Sequence, residues 1–419
     1  MGVMAVLMAV LVLILLAIMG KRKPLLLVYV FAMMLSGAAV ESLDSGSTLL
    51  RWAMILLLGL TVIRDRSWPG VPAIMVGIFA IQTLVLAPLS PSILWSVEQG
   101  TLMFAVAVLM ASALAVEMRD LRGIYSLLRV VLAAAAVYVI LGFATIGSLR
   151  QGERFAGATT SAPLFVLTGG LLLPVAVWGT FAEGLGKWRW YSAFLATSIF
   201  ILCVISGQRT GTYAGFVGCL PLLARFGFRK LGVALVVALL AGGALMIVMR
   251  AMPGQAEYVE QRFGSVDTTG RVERWTNALQ LCIEKPFVGH GAGAMGTTGF
   301  GFHNAFLESW YEQGIVGLLL IGGAVIMMLV QSIRLMICCR DTQMKDLSRL
   351  LVGLVLTNML AALGESKLIS PSNVAIFFLV FSSAVIVSLQ RIARAEGVYD
   401  FPDAAYPPAG HPWPGPYPG

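Results

Sequence analysis

Residues 252–314 read MPGQAEYVEQRFGSVDTTGRVERWTNALQLCIEKPFVGHGAGAMGTTGFGFHNAFLESWYEQG. This is the one long polar segment of a 419-residue chain that is 58% hydrophobic and 12% charged. Soluble domains carry about one quarter charged residues. On both sides lie repeated apolar runs of roughly 16–24 residues, the length that crosses a bilayer's hydrocarbon core. Backbone groups in lipid must bond internally, so these runs are helices. The expected fold is all-α: a polytopic integral membrane protein with one long helical loop.

The apolar runs fall at 3–19, 25–40, 48–63, 71–88, 100–116, 124–146, 162–181, 191–206, 212–224, 231–249, 314–337, 350–364 and 373–390. These thirteen candidates predict about 12 transmembrane helices. The organisation read from them is transmembrane helices over 1–249, a catalytic loop over 250–313, further transmembrane helices over 314–395, and a Pro-rich tail over 396–419. Basic junctions, such as Lys21-Arg22-Lys23 and the segments 225–230 and 334–345, alternate with polar ones that are poor in lysine. The positive-inside rule assigns the basic set and the C-terminus to the cytoplasm, and the long loop to the outside. No cleavable signal peptide is evident, so the first run reads as an anchor. The net charge of +8 follows the same topological bias and gives no reason to expect a nucleic-acid partner. The five cysteines form neither a disulfide framework nor a metal-ligand spacing.

Several arginines violate the charge bias. Arg150, Arg154, Arg209, Arg250, Arg262, Arg271 and Arg274 all fall in outward segments or at their edges, where lysine is nearly absent. Guanidinium groups present a planar fork of donors that matches phosphate oxygens. A pyrophosphate at the outer bilayer surface accounts for them, against pairing with Glu153, Glu257, Glu260, Asp267 and Glu273. Arg209 stands out, because Ser206-Gly207-Gln208-Arg209-Thr210-Gly211 joins two apolar runs with almost no loop. An arginine so close to hydrocarbon is functional by default.

Within the long loop, residues 271–283 predict a helix whose apolar face is Val272, Trp275, Leu279 and Cys282, with Arg271 and Arg274 about one turn apart. The glycine run 289–296 lacks the Lys-Ser/Thr of a nucleotide-binding loop and reads as a tight connection, with His290 structural. His303 opens the next helix beside the arginines, where it suits a general base. Asn304, Glu308 and Glu312 follow at steps of four along one face. Glu308 is placed to orient a partner or bind acceptor hydroxyls.

These residues resemble the O-antigen ligase (WaaL) family, within the O-antigen ligase/polymerase superfamily. The resemblance rests on Ser206-Gly207-Gln208-Arg209, on Gly270-Arg271 with Trp275 and Pro286 to Gly291, and on His303-Asn304 with Leu307, Glu308, Glu312, Gly314 and Gly317. One stretch departs from the family: its Asn-Pro-Asn-like segment reads here Gly157-Ala158-Thr159-Thr160-Ser161. The resemblance implies a GT-C-like architecture in the bacterial inner membrane, with the site facing the periplasm. It implies an inverting glycosyl transfer from undecaprenyl pyrophosphate-linked polysaccharide to a lipid A–core hydroxyl, without metal or cofactor. It maps catalytic roles onto His303, Arg209 and Arg271. Substrate binding falls to Arg150, Arg154, Arg274, Asn304 and Glu308. The alternatives are a polymerase of the same superfamily, or a transporter of anionic lipids. The transporter reading predicts charges deep in the spans, whereas the spans carry charge only at edge positions such as Arg51, Arg129 and Glu365.

Overall fold

The computed structural model describes residues 22–34, 41–63, 68–148, 154–157, 159–224, 253–264, 269–298, 301–365 and 373–398. Among them the chain is helical and contains no β-strand. The helices are α1 (Arg22–Met34), α2 (Glu41–Ile63), α3 (Val71–Val85), α4 (Ile93–Glu117), α5 (Leu121–Ala144), α6 (Ala162–Phe181), α7 (Trp188–Ile205), α8 (Arg209–Leu223), α9 (Pro253–Gly264), α10 (Thr269–Glu284), α11 (Ala305–Cys338), α12 (Thr342–Gly364) and α13 (Val374–Ala395). Seven of these, α4 to α7 and α11 to α13, are long and apolar enough to cross a membrane. The expected runs 3–19 and 231–249, and the tail from residue 399, lie outside the described residues. Every other run overlaps a described helix, and the end of the run 25–40 also lies outside the described residues.

Local signals set the helix starts. Asp120, Asp341 and Asn373 accept from Gly123, Met344 and Ala375 N–H groups through their side chains, each satisfying a donor that a helix N-terminus leaves unpaired. Glycines then allow close helix approach. Gly170 of α6 faces Gly211 and Gly215 of α8, and Gly218 of α8 faces the backbone of Gly353 of α12, with no room for a Cβ at either contact. Small residues at such crossings let backbones pack without a hydrophobic drive between helices. The result is a tight α6–α8–α12 layer, which fixes where the ends of α8 and α12 meet.

α11 has 34 residues, about 50 Å of helix, against about 30 Å of hydrocarbon. Gly314, at φ 71° and ψ −173°, breaks it into a short polar leg and a long apolar one. Only glycine adopts that backbone without cost. The loop has its own small core of Ala278, Cys282, Ala294, Phe302 and Tyr311. It is anchored to α3 and α4, where Ser90 and Ser96 hydroxyls donate to Ala292 O, and Gln82 Nε2 donates to Gln313 O at 2.7 Å.

One charge read as an edge position is buried. Arg51 is 4% exposed and donates to Ser47 O and Thr48 Oγ1. Hydropathy along a sequence does not reveal that a polar patch on the same helix turn satisfies it.

Candidate functional site

The site begins at the turn between α7 and α8. Gly207 takes φ 66° and packs beneath the Tyr258 ring of α9, which leaves no space for a side chain. Ser206 Oγ donates to Phe155 O at 2.6 Å and so ties the Arg154 segment to this turn. Gln208 caps α8, its Oε1 accepting from Gly211 N–H at 2.9 Å. Its Nε2 donates to Glu365 Oε1 at 2.7 Å. Glu365 directly follows α12, and Gly364 lies so close to Thr210 that a methyl there would overlap it.

Four arginines from separate elements meet at this end of the bundle. Arg271 Nη2, from α10, donates to Thr210 Oγ1 at 3.1 Å. Burial, and then the positive charges of Arg154, Arg209 and Arg271, press the Arg262 guanidinium of α9 below its ordinary value. Like charges gathered this way repel unless an anion sits among them. Arg262 Nε is a buried donor with no protein partner, and so is Trp275 Nε1, one turn beyond Arg271. Buried donors are normally satisfied, so both suit an acceptor supplied by a ligand.

His303 stands at the other side of Glu365, its Nδ1 3.8 Å from Glu365 Oε2. The histidine side chain is 41% exposed and the glutamate 11%. His303 is the one non-glycine residue with positive φ, 50°, among the described residues. That conformation costs about 1–2 kcal/mol and is concentrated at functional positions. The linkage is therefore continuous: His303 faces Glu365, Glu365 accepts from Gln208, Gln208 caps the helix that carries Arg209 and Thr210, and Thr210 accepts from Arg271.

The other expected residues are placed less uniformly. Arg274 is exposed on α10, and Arg150 and Arg250 lie outside the described residues. Asn304 is buried and is the N-cap of α11, its Oδ1 accepting from Phe306 and Leu307 N–H groups. His303 therefore precedes the helix rather than opening it. Glu308 is half-buried on the first turn of α11. Glu312 accepts from Gly293 and Met295 N–H groups, so the glycine run is docked on a carboxylate. His290 stacks on Tyr311 with ring centres 4.3 Å apart and contacts Leu281 O, a packing role. Sequence reading missed Glu365 and Gln208 as members of the site, and it named Arg262 among the outward arginines without giving it a role. Glu365 appeared as a span-edge charge, and nothing along the chain links it to residues 208 and 303. Among the described residues no group of three or more His, Cys, Asp or Glu side chains forms a metal site.

Residues 191–322 match the protein family described as O-Antigen ligase. The match supports a glycosyltransferase of the O-antigen ligase/polymerase superfamily and, with the apolar helices, a multi-pass inner-membrane protein. It does not separate ligase from polymerase. A solved structure described as "Structural coordination of polymerization and crosslinking by a peptidoglycan synthase complex" is similar over 76% of this chain and 96% of its own, at 17% identity. Its TM-score is 0.42. No curated protein matches.

Proposed function

We propose that this chain is an O-antigen ligase. It transfers polysaccharide from undecaprenyl pyrophosphate to a sugar hydroxyl of lipid A–core at the periplasmic face of the inner membrane. The observation that carries this reading is the unbroken linkage from His303 through Glu365, Gln208 and Thr210 to Arg271, with Arg154, Arg209 and Arg262 gathered beside it.

In this mechanism Arg209, Arg262 and Arg271 hold the pyrophosphate, with Arg154 at the exposed rim. The α8 N-terminus adds the positive end of its dipole. The acceptor oxygen attacks the anomeric carbon from the face opposite the pyrophosphate. The carbon–oxygen bond to phosphate breaks, and its electron pair remains on the leaving phosphate oxygen. The guanidinium groups stabilise the growing charge, the contribution that usually dominates such catalysis. The hydroxyl proton passes to the His303 imidazole. Glu365 orients the ring and stabilises the imidazolium that forms, as the carboxylate does in hydrolase triads. A single displacement inverts the anomeric centre.

The deciding experiment incubates the purified full chain with lipid-linked polysaccharide, with and without lipid A–core. Ligated lipid A–core that forms only with both substrates supports the proposal. Elongation of lipid-linked chains from donor alone assigns the polymerase activity instead. Movement of the intact lipid across a bilayer without a new glycosidic bond assigns transport.

A further inference from the structure

The apolar face that the sequence predicts for α10 divides in the structure into a buried part and an exposed part. At about 100° per residue, Arg271, Trp275, Ala278 and Cys282 share one arc, and Ala278 and Cys282 are fully buried there. A second arc carries Glu273, Asn277, Gln280 and Glu284, all exposed. Between them lies an apolar arc that stays open among the described residues: Val272 is 55% exposed, Leu279 40% and Ile283 65%. It continues past the helix end into Phe287, 73% exposed.

The level of this arc is fixed by its contact with α11. Ile315 N–H donates to Pro286 O at 2.7 Å, and Gly314 packs against the Phe287 backbone with no room for a Cβ. Residues 286–288 therefore lie beside the first residue of the apolar leg. That leg exposes Val316, Leu319, Ile326, Val330 and Ile337 along one face, the pattern of a surface turned to lipid. The α3–α4 turn, on which the glycine run rests, also ends in exposed apolar side chains, Leu94 at 84% and Trp95 at 43%. Tryptophan is enriched at membrane interfaces. An apolar arc flanked by charge and continuous with a lipid-facing span is the signature of a helix lying in the bilayer surface.

We propose that α10 lies along the bilayer interface, with Val272, Leu279, Ile283 and Phe287 inserted at the boundary of headgroups and acyl chains. Arg271, on the adjoining arc, is then held at the depth of lipid phosphates. The partner is the bilayer that the bundle itself spans, whatever reaction the site performs.

The test uses the full chain in phosphatidylethanolamine/phosphatidylglycerol liposomes. Cys338→Ser removes the one native cysteine that is not buried. Nitroxide is then attached at Val272→Cys, Ile283→Cys or Phe287→Cys, and at Asn277→Cys or Glu284→Cys for comparison. Leu279→Cys replaces any apolar-arc variant whose helical content falls. Power saturation with oxygen and with a water-soluble nickel chelate reads the depth. The expected result is a several-fold higher oxygen-to-nickel ratio on the apolar arc than on the polar one. Equal, water-like ratios at all positions overturn the proposal. So does shielding of the apolar arc from both probes, which assigns the surface to a protein partner.

Discussion

Gln208 and Glu365 are 157 residues apart and joined by a 2.7 Å hydrogen bond, Nε2 to Oε1, at a buried point. The amide of Gln208 serves two structures at once, because its oxygen caps α8 while its nitrogen holds the carboxylate. The start of α8 and the end of α12 are thereby fixed together. The free oxygen of Glu365 is left facing His303. His303 and the arginines at positions 209 and 271 are linked through this one contact.

Glu365→Gln keeps an oxygen to accept from Gln208 but removes the charge facing His303. The expected outcome is a folded, inserted protein whose transfer rate at saturating donor falls about 100-fold. Initial rates in reconstituted membranes measure this. An unchanged rate removes Glu365 from the mechanism.

His303→Asn retains a residue type that tolerates positive φ. Melting in detergent should change little, while transfer falls by about 100- to 10,000-fold. A large loss of thermal stability would instead assign His303 a packing role.

Arg271→Ala removes a donor from the charge that develops on the leaving group and should lower the rate about 100- to 1,000-fold. Arg271→Lys keeps the charge but loses the planar fork, so it should recover only a small part of that loss. Binding of the lipid-linked donor, followed by titration, should weaken in both.

Gly364→Ala places a methyl against Thr210. Overpacking of this kind costs about 1–3 kcal/mol. The expected signature is a lower melting temperature together with slower transfer, because the displacement separates Glu365 from Gln208.

Glu312→Ala strips the acceptor from Gly293 and Met295 N–H groups, at a cost of about 1–3 kcal/mol for unpaired buried donors. Hydrogen–deuterium exchange should accelerate across residues 291–297 while the exchange of α12 and α13 stays as it was.

Much of the architecture is legible along the chain. Apolar run length alone predicts helices, because lipid offers the backbone no partner. The run 162–181 coincides with α6 from end to end, and the predicted helix at 271–283 falls within Thr269–Glu284. Arg209, Arg271 and His303 were legible as a group because arginine is out of place in an outward segment and histidine is rare in this chain. The apolar face read for α10 is split in the structure, with Cys282 buried and Val272 and Leu279 exposed. Periodicity identifies an apolar stripe but not whether protein or lipid lies against it.

The sequence by itself thus determined the helical membrane fold, the polar loop and the residue types suited to holding phosphate. Tertiary structure alone decided that Glu365 is His303's neighbour, that Arg262 carries a buried donor beside Arg154, Arg209 and Arg271, and that Asn304 serves as a cap. The reason is one of range. Helix formation and burial follow from spacings of a few residues, whereas the site depends on contacts between α6, α8 and α12 that bring residues 208 and 365 together, and on the contacts of residues 271 and 303 with them from distant parts of the chain.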